Sequence, residues 1–231
     1  MKKFQKILLF LVLVVFLWAG SAFGLSISVW DTAPANLVMV EDFEDESPGW
    51  YKTYVTDVGT FTAGGLKGLG DTSYNANNDP DQEDPYFVIK NTGWYGRENQ
   101  TSDGSNWLDS GDITELNLNV NLSNIPYRSL FFTLQDPSDV NATTTVEGNN
   151  QTASYTFTYP EPNNEVFLVG ILWDADETLS SISWKVNTQN DGYGLDNFQS
   201  APVPEPATML LLGSGLIGLA GIGRRKFLGR R

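Results

Sequence analysis

The sequence predicts an all-β fold, an antiparallel two-sheet β-sandwich. Three observations carry this. In the central part of the chain apolar residues alternate with polar ones at a period of two, which is the period of a strand with one buried face. Clusters of Gly, Asn, Asp, Pro and Ser separate these runs and supply turn chemistry. No segment between residues 25 and 202 holds a sustained helical period.

Taken in order, residues 37–44, 50–55 and 86–90 form short apolar runs that read as strands. Residues 116–122 alternate strictly, with Leu116, Leu118, Val120 and Leu122 on one face and asparagines on the other. Residues 130–134 and 166–173 are nearly continuous apolar runs and read as more deeply buried strands. Residues 143–146 are a further candidate. Tyr155, Phe157 and Tyr159 share a face in residues 153–159, and Ile182, Trp184 and Val186 repeat the pattern. Residues 193–198 close the series, for roughly ten strands in all. Asp136-Pro137-Ser138-Asp139, Glu147-Gly148-Asn149-Asn150 and Asn190-Asp191-Gly192 are the clearest turns. Residues 73–85 and 96–112 read as long polar insertions on one rim.

Both ends differ in kind from this region. Residues 1–24 carry Lys2, Lys3 and Lys6, an apolar run over 7–18, and small residues at Ala22 and Gly24. That is the layout of a helical secretory signal peptide, cut by signal peptidase after Gly24. At the other end, Val203, Pro204, Glu205 and Pro206 precede an uncharged run, residues 207–223. As a helix this run spans about 26 Å, close to the roughly 30 Å hydrocarbon core of a bilayer. Arg224, Arg225 and Lys226 follow, within a basic tail of residues 224–231. Basic residues beside a span stay on the cytoplasmic side, so the expected arrangement is a single transmembrane helix with everything before it outside. The expected organisation is a signal peptide (1–24), a sandwich domain (25–200) and a C-terminal sorting segment (201–231).

Charge and composition exclude several functions. The chain has a net charge of −14, but eight of its 14 basic residues sit in the two ends, and all 28 acidic residues lie outside the signal peptide and the basic tail. Residues 25–223 therefore hold six basic against 28 acidic residues, a net −22. Such a surface repels nucleic acid and anionic lipid and favours divalent cations. Cysteine and histidine are both absent, which removes disulfides, imidazole general bases, Ser-His-Asp or Cys-His catalysis and ordinary zinc sites.

Val-Pro-Glu-Pro, a short span and an Arg-rich end, in that order over about 30 residues, resemble the PEP-CTERM sorting signal of exopolysaccharide-producing Gram-negative bacteria. The resemblance implies that the chain is held at the inner membrane, that a membrane protease, exosortase, acts near Val203–Pro206, and that the domain passes to the cell surface or an exopolysaccharide matrix. A second resemblance runs through the domain. Val40-Glu41-Asp42-Phe43-Glu44 with Gly49-Trp50 looks like the opening strand of galactose-binding-like jelly rolls, and residues 192–198, Gly-Tyr-Gly-Leu-Asp-Asn-Phe, look like their closing strand. It implies a jelly-roll sandwich with neighbouring terminal strands and a structural Ca²⁺ between Glu44 and Asp196. Residues 107–112 and 136–140 also look like segments recurring in exported PEP-CTERM proteins.

Three chemistries remain open to the domain. Calcium prefers carboxylate and carbonyl oxygens, which Glu44 and Asp196, or the acidic loop at residues 79–84, supply. Sugar binding needs exposed rings, for which Trp94, Tyr95 and Trp107 in polar segments are candidates, while Trp173 and Trp184 sit in strand patterns and read as core. Glycoside hydrolysis needs two carboxylates at a set separation, and Glu41, Glu44, Glu98, Asp174 and Asp176 are available without any distinguishing spacing. The reading that follows is an exported, non-enzymatic surface or matrix protein, with a carbohydrate-binding or Ca²⁺-stabilised module as the alternative.

Overall fold

A computed structural model describes residues 24–68, 85–93, 97–102, 104–158 and 165–202, together with Gly215. Gly24–Pro202 makes one unit of its own. It contains fourteen described strands: β1 (Ser26–Trp30), β2 (Val38–Glu41), β3 (Gly49–Tyr51), β4 (Thr53–Val55), β5 (Gly59–Gly64), β6 (Phe87–Lys90), β7 (Trp107–Asp109), β8 (Glu115–Val120), β9 (Ser129–Gln135), β10 (Thr143–Gly148), β11 (Thr152–Thr156), β12 (Val166–Leu172), β13 (Leu179–Lys185) and β14 (Gly194–Ser200). A single 3₁₀ turn at Leu122–Asn124 is the only helix among the described residues of this unit.

The strands form two antiparallel sheets. One runs β1-β12-β9-β14-β7-β6-β3, with β2 also paired to β14, and the other runs β11-β10-β13-β8-β5-β4. Alternation decides which side chains enter the space between them. Leu130, Phe132 and Leu134 of β9 and Val169 and Ile171 of β12 face Leu116 and Leu118 of β8 and Ile182 and Trp184 of β13 in one apolar core. Its centre is aromatic. Phe132 stacks on Phe198 at 5.1 Å and meets Trp184 edge-on at 5.6 Å, and Phe61 stacks on Trp184 at 6.4 Å.

Most expected strands are present, and the departures have physical causes. Residues 50–55 form two strands, not one. The chain leaves the larger sheet after Tyr51 and enters the smaller at Thr53, with Tyr51 and Tyr54 rings 4.2 Å apart across the corner. Residues 116–122 stop pairing at Val120, because Asn121 turns the chain by accepting a hydrogen bond from Ser123 N. β1, β5 and β7 have no counterpart in the sequence reading. The segment 96–112 is not a rim insertion throughout: Trp107–Asp109 is β7, buried between β6 and β14.

The closing strand β14 lies inside the larger sheet. It pairs with β9 on one side and with β7 and then β2 on the other. Opening and closing strands are thus neighbours, as the sequence led one to expect. β14 carries register shifts between Asp196 and Gln199, where Asn197 adopts φ 54°. Asparagine tolerates this left-handed conformation, and the irregularity sets the local aim of Asp196.

Candidate functional site

The site is built where three turns meet one arginine. Arg97 is 1 % exposed. Its Nε donates to Asp109 Oδ2 at 3.3 Å, and its Nη1 donates to Asp191 Oδ1 at 3.2 Å and to the Gly192 carbonyl at 2.9 Å. Asp136 Oδ2 lies 3.6 Å from Nη1, and Asp112 Oδ1 lies 4.0 Å from Nη2. Burial opposes the guanidinium charge, but the surrounding aspartates, Asp109 foremost, hold its pKa above the ordinary value. Local sequence explains the convergence. Asp109 ends β7, and its Oδ1 accepts Gly111 N at 2.7 Å in a tight turn with Gly111 at φ 62°. Asp136 follows β9 at φ 58°, and Pro137 and Ser138 continue the turn, which Asn141 and Ala142 close with backbone hydrogen bonds. Asp191 precedes Gly192, whose carbonyl Arg97 takes, and a side chain at Gly192 would meet Ser110 Oγ at 2.4 Å.

A fifth carboxylate, Asp139, adjoins this cage. Asp136, Asp139 and Asp191 bring carboxylate oxygens within 4.8 Å of one another. Its pKa is raised to about 7, by burial first, then by the charges of Asp136 and Asp191 and a hydrogen bond with Asp191, while Arg97 works the other way. Five carboxylates therefore face one guanidinium.

Glu44 and Asp196 come together too, but around a segment of the chain. Glu44 Oε1 accepts from Asn99 Nδ2, Ser105 N and Asn106 N, each at 2.8 Å, and its Oε2 accepts from Ser105 N at 2.9 Å. Asp196 Oδ2 accepts from Gln100 N at 2.6 Å, and its Oδ1 accepts from Asn197 N at 2.7 Å. Residues 97–102 and 104–106 thus form a strap clamped by both acids. The two acids that the resemblance pairs through calcium are both engaged by N–H donors of this segment. A second acidic trio, Glu41, Asp42 and Asp45, lies nearby. Glu41 also has both oxygens engaged, by Phe43 N at 2.6 Å and Asp57 N at 2.9 Å. These bonds support Phe43, whose buried ring sits at φ 60°.

Trp107 does not offer a sugar-stacking face. It is fully buried, its Nε1 donates to the Thr92 carbonyl at 3.2 Å, and its ring lies against Gly194, where a Cβ would come within 2.9 Å. Trp173 and Trp184 are buried, as expected. Trp94, Tyr95 and the acidic loop 79–84 lie outside the described residues, as do residues 1–23 of the signal peptide, Val203–Pro206 and residues 224–231. Asn99, the first residue of an Asn-Gln-Thr triplet, has its amide committed to Glu44 and the Asn106 carbonyl. The sequence reading missed Arg97 as the centre of a site. The available signal was that it is one of only six basic residues in a strongly acidic region.

Burial gives the domain an unusual pH response. Burial raises the Glu41 pKa to about 7, against its backbone hydrogen bonds to Phe43 and Asp57, with the charges of Glu46 and Asp45 adding to the rise. Burial likewise raises Asp196 to about 7, with Gln100 and Asn197 opposing and the Glu44 charge reinforcing. Folded-state pKa values above the unfolded ones mean that the fold binds more protons than the unfolded chain between about pH 4 and pH 7. These two groups therefore make stability fall as pH rises through that window. The expected result is a melting midpoint higher at pH 5 than at pH 8 in the presence of chelator. A midpoint that climbs steadily from pH 5 to pH 8 would contradict it.

Comparison with known families locates the remaining element. Residues 202–226 match the PEP-CTERM protein-sorting motif. The matched stretch holds Val203, Pro204, Glu205 and Pro206, all of 207–223, and Arg224, Arg225 and Lys226. It supports an exported protein, anchored at the membrane and then processed by exosortase. No curated protein matches the chain. Among the described residues no helix is long and apolar enough to cross a membrane, and 207–223 lie outside them apart from Gly215.

Proposed function

We propose that this chain is a non-enzymatic protein of the cell surface or exopolysaccharide matrix, delivered through its PEP-CTERM segment. The observation that carries the reading is the motif match at 202–226, which starts where the sandwich ends. Signal peptidase cuts after Gly24, residues 207–223 hold the domain on the outer face of the inner membrane, and exosortase acts near Val203–Pro206. The sandwich, read as a galactose-binding-like jelly roll, then passes outward as a folded unit.

The geometry of the last strand suits this sequence of events. β14 is paired on both sides. Ala201 is tied to β9 by an N–H donated to Ser129 Oγ at 2.9 Å, and its carbonyl accepts from the same hydroxyl at 2.7 Å. A cut beyond Pro202 breaks none of these bonds. Pro202, Pro204 and Pro206 disfavour helix and keep the linker extended for a protease.

The test is fractionation with intact-mass measurement of a Pro204→Ala, Glu205→Ala double variant. It is expected to stay in the membrane fraction with its C-terminus whole, while the parent appears outside at reduced mass. Export of the double variant at the parent's processed mass would overturn the reading.

A further inference from the structure

We propose that the free edge of β11 pairs antiparallel with the same edge of a second copy of this chain, about a two-fold axis at Ser154. Among the described residues the larger sheet ends on β1 and β3 and the smaller on β11 and β4. β3 and β4 are three residues each, with Lys52 between them. Short strands and lysine are the means by which proteins blunt an edge against pairing. β11 has neither. It is five residues long and exposes Thr152, Ser154, Tyr155 and Thr156, and residues 148–160 carry no charge within an otherwise strongly acidic region. β1 is equally long and uncharged, but it is half-buried over most of its length.

The register fixes which backbone groups face the open side. β11 pairs with β10 as Thr152↔Glu147, Ser154↔Thr145 and Thr156↔Thr143, with Ala153↔Val146 and Tyr155↔Thr144 between them. Gly148 N donates to the Gln151 carbonyl at 2.8 Å, and Phe157 N donates to the Ala142 carbonyl at 2.9 Å. These two rungs set the alternation of the ladder, so Ala153 and Tyr155 spend their N–H and C=O groups on β10. Thr152, Ser154 and Thr156 turn theirs to the free edge. The Thr143 and Thr156 hydroxyls, 3.0 Å apart, fit the closer spacing of a pair without backbone hydrogen bonds.

A second copy supplies the same three residues in reverse order. Around the axis, Ser154 meets Ser154 and Thr152 meets Thr156 of the second copy, which allows about six N–H···O bonds. On the core-facing side Ala153 comes opposite Tyr155 of the second copy, small against large. Tyr155 is 39 % exposed, and its ring lies 4.9 Å from Phe157, which packs on Phe167 at 5.1 Å. These rings hold the strand in place for a partner. Charge permits the contact although each copy is acidic. Glu147 is paired with Thr152. With strands about 4.8 Å apart and about 3.4 Å per residue, the two Glu147 side chains would stand about 20 Å apart, beyond the roughly 8–10 Å screening length.

The experiment is sedimentation of purified full-length protein in detergent over a range of concentrations, with cross-linking alongside. The parent is expected to form a dimer. Ser154→Pro removes an N–H that faces the free edge and leaves the β10 ladder whole, and Ser154→Lys sets two like charges opposite each other. Both are expected to weaken association at least tenfold with an unchanged circular dichroism spectrum, and if Ser154→Pro does not fold, Ser154→Lys decides alone. The chain has no cysteine, so single thiols report the register. Ser154→Cys is expected to cross-link through a short bismaleimide by itself. Thr152→Cys and Thr156→Cys are expected to cross-link with each other when mixed and far less alone. A monomeric parent would overturn the proposal. So would a dimer that Ser154→Lys leaves intact, which would place the association on another surface, such as the β1 edge or residues 207–223. No readout depends on whether the chain is sorted by exosortase.

Discussion

Arg97→Ala is expected to lower stability by about 3–5 kcal/mol, the usual effect of removing one partner from a buried ionic group. For a domain of this size that is a drop in melting midpoint of about 10 °C. Three losses combine. Asp109, itself 1 % exposed, would keep a buried charge with no cation beside it. The Gly192 carbonyl would lose its 2.9 Å donor. The strap would lose its anchor at one end, leaving the Glu44 and Asp196 clamps to hold the rest of it. Arg97→Lys should recover only part of the loss, since an ammonium lacks the planar fork that reaches several carboxylates at once. Lowering the pH should narrow the gap between variant and parent, because protonated aspartates no longer need the guanidinium. Thermal melts at pH 7.5 and pH 5 measure both effects. A midpoint for Arg97→Ala within about 2 °C of the parent at pH 7.5 would show that the cage contributes little.

Trp184→Ala is expected to cost about 3–5 kcal/mol, through lost burial and the cavity that remains. The ring is fully buried at the centre of the core, between Phe61 of β5 and Phe132 of β9. It therefore links the two sheets. Trp184→Phe should be much milder, at under about 1.5 kcal/mol, for a specific reason. The indole Nε1 is buried without a hydrogen-bond partner, so phenylalanine loses no polar contact and relieves an unsatisfied donor. Urea unfolding followed by circular dichroism separates the two variants. Equal losses for alanine and phenylalanine would mean that the indole nitrogen matters and that the aromatic volume does not.

The strands that could be read in advance are those with one buried face and a clear period. Ile182 and Trp184, or Leu116 and Leu118, announce their sheet face by alternation alone, because the hydrophobic effect acts on each strand separately. β7 could not be read this way. Trp107, Leu108 and Asp109 are all buried, so no alternation exists, and the charge of Asp109 argues for the surface until Arg97 is placed beside it. Glu44 and Asp196 were recognisable as a pair from the opening and closing strands, and the structure does bring both to one strap. Their partners are backbone N–H groups at Gln100, Ser105 and Asn106, which carry no signature in a sequence.

Composition and order alone determined the class of the fold, the acidic character of residues 25–223, the absence of imidazole and thiol chemistry, and the polarity of the C-terminal sorting segment. Each follows from residue type or from neighbours along the chain, and none needs a distant contact. Tertiary structure alone decided where the carboxylates meet. Asp109, Asp136, Asp139 and Asp191 come from three separate turns, and a charge can remain buried there only because the fold delivers Arg97 to within 4 Å of its partners. Long-range electrostatics in a poorly hydrated interior depends on distance, and distance between residues far apart in sequence exists only once the sheets have formed.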